Sequence, residues 1–571
     1  MKHVTPMLCR RRSHWFVAAF AALFLLPHAP KAEAKAEEPA RPLFGAYLAG
    51  VHALTLRDYG AADAWLTRAW QADPNAPQIT TRTLLAALLN GRFAEASLLS
   101  PHEIEREPDN AAARLVRLIE EMKAGKDEAA LASAEKLPRA GIHRFVRPLA
   151  LAWAQAGVKN FDGALTALKA FDQFEDFSPL KFFEEGLIDD YAGRALKAEA
   201  HFKSALAATG TLNWRLTEAV ATFYLEHGRK TEAEALYRRF LKASGESDFA
   251  RSLLANPPAA SPGPIVPSPA KGFAEALFDL ASVFDAAQTR GLALMYTRLS
   301  LALDPASEAP KLLLADILST EGHPRQSLAV LAQVPSTSRY SWSARLRAAA
   351  DLDAAGESAK AIALLEGMAA AEPLWTGAPI ELGDLLRSAK RFADAAKAYR
   401  EAIGRLEASG AAVPWSLDYS FGIALDRSGH WRQAEKALLA ALKLKPNEPF
   451  VLNYLGYSWV NRGEKLRRGL KILEKAVSLR PDDGYIIDSL GWAHYHLGDY
   501  VAAVKYLEKA TELVPDDPTI NDHLGDAYWR DGRPREARFA WRQALEFGPK
   551  KSRIKPIEAK LERGLGPAGG G

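Results

Sequence analysis

Cysteine is almost missing from this 571-residue chain, which has one, Cys9. Beyond that position no disulfide and no thiolate metal site can form, so packing alone must hold the fold. Long apolar runs are missing too. The run Trp15 to Leu26 has 12 residues, short of the ~20 a spanning helix needs, and a multi-span membrane protein is excluded. Net charge is also scarce: 73 basic residues face 69 acidic ones, a formal +4. Residues 1–34 account for it, with Lys2, Arg10, Arg11, Arg12 and Lys31 against Glu33, leaving about zero for residues 35–571. That balance predicts neither bulk membrane attraction nor strong steering, and with no basic stripe left it argues against a nucleic-acid partner. Apolar residues are plentiful at 48%, beside 25% charged, an ordinary folded balance that excludes large-scale disorder. The length exceeds one ordinary core, so the chain is several domains or a repeat array.

The N-terminus has the three parts of an export signal. Arg10 to Arg12 form a basic end, WFVAAFAALFLL an apolar run, and Pro27 breaks it before Ala32-Glu33-Ala34, where cleavage is expected after Ala34. Cys9 precedes the apolar run, so it is not the acylated residue of a lipoprotein, and it leaves with the signal. The mature chain is then expected in the periplasm with no integral span.

The chain repeats itself. Gly422, Gly456, Gly491 and Gly525 are spaced by 34, 35 and 34 residues, and Pro446, Pro481, Pro515 and Pro549 by 35, 34 and 34. Ala441, Ala476, Ala510 and Ala544 keep the same register, as do Ala434, Gly469, Ala503 and Ala537, and Leu438, Leu473, Leu507 and Trp541. Each unit holds two amphipathic segments of about 12 residues, long enough for helices. Gly429, Gly463, Gly498 and Gly532 supply the turn between them. The small residues predict the close approach of two helices, the bulky ones fill space between neighbouring pairs, and the proline ends the second helix. A single pair cannot bury its apolar face, so neighbours must stack.

This 34-residue helix–turn–helix period resembles the tetratricopeptide repeat (TPR) family, on Leu455-Gly456, Leu490-Gly491 and Leu524-Gly525 with the small residue and proline that follow. The resemblance implies an all-α, right-handed superhelical solenoid. Degenerate units extend it upstream, from Ala62/Leu66/Ala69/Pro74 to Gly383/Ala395/Tyr399/Ala402, giving about 14 helix pairs between residues 43 and 549. Residues 111–212 carry the weakest pattern. NPPAASPGPIVPSPA, residues 256–270, reads as a semi-rigid linker or as a long loop within one continuous superhelix. The linker reading divides the chain into a signal (1–34), an N-terminal array (43–255), a linker (256–271), a C-terminal array (272–549) and a closing segment (550–571), in which Ile554 to Leu565 are expected to form a capping helix.

Patterns that carry catalysis are not found. Gly125-Lys126 continues as Asp127 without the earlier glycine of a phosphate loop. No His-Glu-x-x-His or Gly-x-Ser-x-Gly run occurs, and His494 and His496 are too close in sequence to share a helix face. Asp482-Asp483 and Asp516-Asp517 read as N-terminal charges of the next helix rather than catalytic pairs. No enzyme activity, cofactor or metal is therefore expected.

In a TPR array the first helix of each unit lines the concave face. Counting by four about the glycines gives the rows Tyr419/Ile423/Arg427, Asn453/Tyr457/Asn461, Asp488/Trp492/His496 and Asp522/Asp526/Arg530, flanked by Tyr495 and Trp529. Aromatic anchors among polar groups are the composition of a protein-recognition groove. Its acids, Asp488, Asp522 and Asp526, would repel a C-terminal carboxylate and favour a basic or mixed partner surface.

Residues 452–510 and 520–545 further resemble large exported bacterial TPR proteins, some of which are lipoprotein adaptors of carboxyl-terminal processing proteases. This implies a non-catalytic envelope adaptor with such a protease or cell-wall hydrolases as partners, although the acylatable cysteine of the lipoproteins is missing here. The competing expectations are a structural component of a polysaccharide-export or pilus-assembly machine, and an enzyme with its site in residues 111–255.

Overall fold

A computed structural model describes residues 43–141, 143–210, 212–244, 266–286 and 288–566. The expected signal, residues 256–265 and the last five residues lie outside them. Among the described residues there are 29 α-helices, two short 3-10 turns and no strand, and no helix is long and apolar enough to cross a membrane. The described helices form 14 antiparallel pairs, from Leu43–Thr55 with Tyr59–Ala72 to Pro518–Arg530 with Pro534–Glu546, followed by a single helix, Lys551–Arg563. The chain is the all-α solenoid the repeats imply. Residues 111–212 follow the plan with shortened second helices, Asp127–Glu135 and Phe161–Leu168, the latter running into a 3-10 turn.

Local chemistry sets the boundaries. The turn glycines Gly429, Gly463, Gly498 and Gly532 take φ of 68 to 88°, where any other residue pays a steric cost. Asp483 accepts from the backbone N–H groups of Tyr485 and Ile486, and Asp517 from those of Thr519 and Ile520. The second aspartate of each Asp-Asp pair is thus an N-cap. Ser268 caps the helix Pro269–Val283 by accepting from the Lys271 N–H, and Pro269 takes its first turn. The helix therefore begins inside the segment 256–271 expected to be linker.

The glycine and bulky columns are one contact. A Cβ on Gly491 would lie 2.7 Å from Leu507 Cγ, and one on Gly525 would lie 2.4 Å from Trp541 Cδ1. Gly383 meets Tyr399, Gly186 meets Phe202 and Gly50 meets Leu66 in the same way, at 2.4 to 2.6 Å. The bulky residue therefore seats on the glycine of its own pair, not between neighbouring pairs as expected. The reason is geometric: a first helix without a Cβ at mid-length lets the second helix approach until its largest side chain touches backbone.

The segment after residue 266 turns back onto the beginning. Helix Pro269–Val283 packs on the first helices Ala111–Lys123, His143–Gly157 and Ser178–Tyr191, and Arg290–Leu303 packs on Pro77–Asn90 and Ala111–Lys123. Gly272 lies against the Trp153 ring, 2.2 Å from a would-be Cβ. One apolar cluster gathers residues of both parts, from Tyr59 to Ala344. Polar groups lock the contact. Arg215 donates to both oxygens of Glu275 at 2.5 and 2.7 Å and to Glu218 at 2.7 Å. Tyr340 Oη donates to Glu218 at 2.6 Å, and Arg57 pairs with Glu321. The inner side of the N-terminal pairs is thus filled by the chain's own helices.

Glu184 is fully buried there and accepts from Trp153 Nε1 at 2.8 Å. Burial pushes its carboxyl up to about 8, against that hydrogen bond. The folded state therefore favours the protonated form, and this group's contribution, full below its ordinary 4.5, is lost as pH rises toward 8. Two outcomes are expected. The melting temperature of the chain falls from about pH 6 to about pH 9, and Glu184→Gln, which keeps the acceptor, flattens that slope. For the pair contact, Gly525→Ala should destabilise by about 1–3 kcal/mol in thermal unfolding, because overpacking on Trp541 outweighs the gain in helix propensity. Gly404→Ala, with nothing within 4 Å, should stabilise by about 0.5–1 kcal/mol.

Candidate functional site

The residues counted about the glycines all lie on first helices of the last four pairs: Trp415–Arg427, Pro449–Asn461, Gly484–His496 and Pro518–Arg530. Pro449–Asn461 packs against Gly484–His496 and the latter against Pro518–Arg530, and Tyr454 reaches Tyr419 and Asp426 of Trp415–Arg427. The rows therefore adjoin on one side of the array.

Its most open part is aromatic and polar. Tyr419, Asn453, Tyr457, Trp492 and Tyr495 are half-buried, and Arg427, Asn461 and His496 are exposed. Trp492 stacks on Tyr495 with ring centroids 4.6 Å apart and planes 4° from parallel, and on His523 at 3.9 Å. His496 meets the Trp492 ring edge-on at 4.9 Å. Tyr419 lies edge-on to Tyr454 at 6.1 Å, and Tyr454 Oη donates to Asp426 at 2.8 Å. Arg427 sits 5.1 Å over the Phe392 ring.

The three aspartates stand differently from their sequence reading. Asp488, Asp522 and Asp526 are 7%, 1% and 6% exposed. Asp488 lies 2.9 Å from His523 Nδ1, and despite burial that carboxylate holds the imidazole above its usual pKa. Lys560 Nζ donates to Asp522 at 2.6 Å and to Asp526 at 2.8 Å, and Arg553 donates to Asp522 at 2.5 Å. Trp541 Nε1 also donates to Asp526, at 2.9 Å. These acids are not free charges facing a partner: His523 on the next first helix pairs with Asp488, and the closing helix supplies the counter-ions of Asp522 and Asp526. Trp529 is enclosed by the same segment: its Nε1 donates to Leu565 O at 3.2 Å, and Gly564 lies on its ring. The helix also buries Ile557 beside Ala537, Trp541 and Ala544.

Two groups were missed from sequence. His523 falls one residue outside the counted row, at the register of Ser489 and Tyr454, which faces the preceding first helix. Lys560 and Arg553 follow the last repeat, so no periodicity points to them. Among the described residues no cluster of three or more His, Cys, Asp or Glu side chains is placed to hold a metal ion.

Comparison with known proteins places this geometry. Residues 183–248 and 419–483 match a family model described as tetratricopeptide repeat, and residues 491–532 match a second described as TPR repeat. No curated protein matches the chain. Among solved structures, the APC/C Cut9–Hcn1 hetero-tetramer aligns over 92% of this chain and 97% of its own, at 15% identity and a TM-score of 0.37. MamA aligns over 34% of this chain and 98% of its own, at 22% identity and 0.26. The C-terminal part of a TPR repeat-containing protein from Cytophaga hutchinsonii aligns over 38% and 85%, at 20% identity and 0.31.

Removing the Lys560 ammonium should leave two buried carboxylates short of a partner. Lys560→Ala is expected to cost about 2–4 kcal/mol in urea unfolding at pH 7, and Lys560→Arg about 1 kcal/mol or less. Residues 183–248, 419–483 and 491–532 carry tetratricopeptide repeats, a repeat of protein-interaction scaffolds, within an all-α array of helix pairs.

Proposed function

We propose that the chain is a non-catalytic adaptor of the bacterial envelope that grips a segment of a partner protein along the first helices of residues 377–496. The observation that carries this reading is where the inner side stays open. In the N-terminal pairs it is filled by helices 269–303. In the last pair the closing helix neutralises Asp522 and Asp526 and covers Trp529. Between them stand Tyr419, Asn453, Tyr457, Asn461, Trp492, Tyr495 and His496, aromatic anchors with polar neighbours in reach of solvent. With the acids neutralised, the remaining charge on these rows is cationic, from Arg427 and Arg530. A partner segment with aromatic or aliphatic anchors and acidic flanks suits this face better than a basic one.

The export signal supports a periplasmic site of action. The likeness of residues 452–510 and 520–545 to exported adaptors supports a carboxyl-terminal processing protease, or the cell-wall hydrolases presented to it, as partners. A structural role in a polysaccharide-export or pilus-assembly machine is the competing reading.

The test is affinity capture from envelope extract with mature residues 35–571 and with the variant Tyr457→Ala/His496→Ala. His496 is exposed and Tyr457 half-buried, and a melting curve establishes that the variant is folded. Capture of a processing protease or hydrolase, weakened roughly tenfold in the variant, is the expected result. Capture of export-machine subunits would select the competing reading, and equal capture by both proteins would remove the groove assignment.

A further inference from the structure

Charge neutrality over residues 35–571 conceals a strong local imbalance. Residues 430–480 contain eleven lysines and arginines against four glutamates and no aspartate, a net of +7. They build the second helices Trp431–Leu444 and Leu466–Leu479 and the first helix Pro449–Asn461 between them. That first helix carries no charged residue, so the excess falls on the second helices and their flanking turns. In a helical-pair solenoid the second helices form the outer side, away from the groove discussed above.

The placement is regular. On Trp431–Leu444 the exposed residues Arg432, Lys436, Leu439 and Lys443 follow one another at helical spacing along one stripe. The repeat puts Arg467 and Lys471 at the registers of Arg432 and Lys436, and Lys505 one unit further on continues the Lys436 column. Arg432, Lys436, Lys443, Arg467 and Lys471 form no ion pair among the described residues, and all are exposed. Other bases of the stretch are already engaged: Lys465 with Glu435, Lys445 with Glu448 and Arg462 with Asp426. Lys475 donates to Pro446 O at 3.0 Å, joining the two units. Three apolar side chains stand exposed on the same second helices: Leu439 at 40%, Leu444 at 55% and Leu479 at 40%.

We infer that this outer face docks on an anionic lipid surface. Three observations choose that occupant. The free cations are exposed on long, flexible side chains, so the face selects charge density rather than shape. Leucines stand among the bases, the mixture that suits the boundary between headgroups and acyl chains. The rings beside these bases do not offer a stacking platform for nucleic acid: Phe450 lies beneath Arg480, 5.1 Å from its ring centroid. Trp431 and Trp459 are buried at 9% and 2% exposure and lie beneath Arg462, Lys465 and Arg468, 4.5 to 5.2 Å from the ring centroids. Docked this way, the scaffold holds its inner side away from the membrane. The inference is independent of what that inner side binds.

The experiment is co-sedimentation of the full chain with vesicles of phosphatidylcholine, with and without about 30% phosphatidylglycerol, at about 50 and 300 mM salt. The chain should sediment with the anionic vesicles at low salt and be released at high salt. Lys436→Glu/Arg467→Glu/Lys471→Glu should weaken that binding roughly tenfold or more. Lys126→Glu/Lys136→Glu/Lys169→Glu makes the same change in net charge at exposed sites elsewhere and should bind like the parent. Melting curves establish that both variants are folded. Equal binding to neutral and anionic vesicles, as an apolar anchor in residues 15–26 would produce, overturns the inference. So does anionic binding unaffected by the first variant, no vesicle binding at all, or tighter retention on immobilised polyglutamate than on vesicles at matched charge, which would assign the face to an acidic protein.

Discussion

The close approach of glycine to one bulky side chain is the constraint on which the array depends. In each of the last five pairs a first-helix glycine faces a leucine, tyrosine or tryptophan of the second helix, with no room for a Cβ. The contact sets how near the two helices lie, and so how much apolar surface a pair leaves for its neighbour. Leu438, Leu473, Leu507, Tyr399 and Trp541 are all fully buried by it. Because a solenoid is stabilised by nearest neighbours, the error of one pair passes to the next. Exact repetition of this contact is therefore worth more than any single helix propensity.

A one-dimensional array has two ends and an open inner side, and this chain deals with each through contacts that break the repeat. The inner side of the first half is closed by helices that arrive from across the proline-rich segment. That closure is polar as well as apolar. Arg215 holds Glu275 and Glu218 at once, and Glu184 is tolerated because Trp153 supplies a donor and protonation removes its charge. At the other end, Lys551–Arg563 substitutes for a fifteenth first helix, with Ile557 for the apolar contact and Lys560 for the charge on Asp522 and Asp526. Both closures cover first-helix surface, and the first helices between them keep theirs uncovered by either segment.

The placement of the counted rows was legible from spacing. Counting by four about Gly422, Gly456, Gly491 and Gly525 finds residues on one side of four adjoining helices, because both the helical period and the repeat are strict there. Their state was not legible. Asp522 and Asp526 look like free acids because their counter-ions come from Lys560 and Arg553, some 30 to 40 residues later and outside the repeat. His523 was passed over because side chains one position off the row face the preceding helix. The basic outer face was present in the sequence all along, but a sum over the whole chain cancels the +7 of residues 430–480 against acids elsewhere.

The sequence by itself determined the helices, their pairing, the number of pairs and the end of each unit, because these follow from local periodicity, turn glycines, caps and prolines. Only the tertiary structure decided which surfaces remain open. Nothing local in Pro269–Val283 announces that it will lie against Trp153, since that contact depends on the curvature accumulated over six preceding pairs. Charge followed the same division: a residue's sign is written in its identity, but whether it meets a partner, water or a buried counter-ion is set by segments distant in the chain.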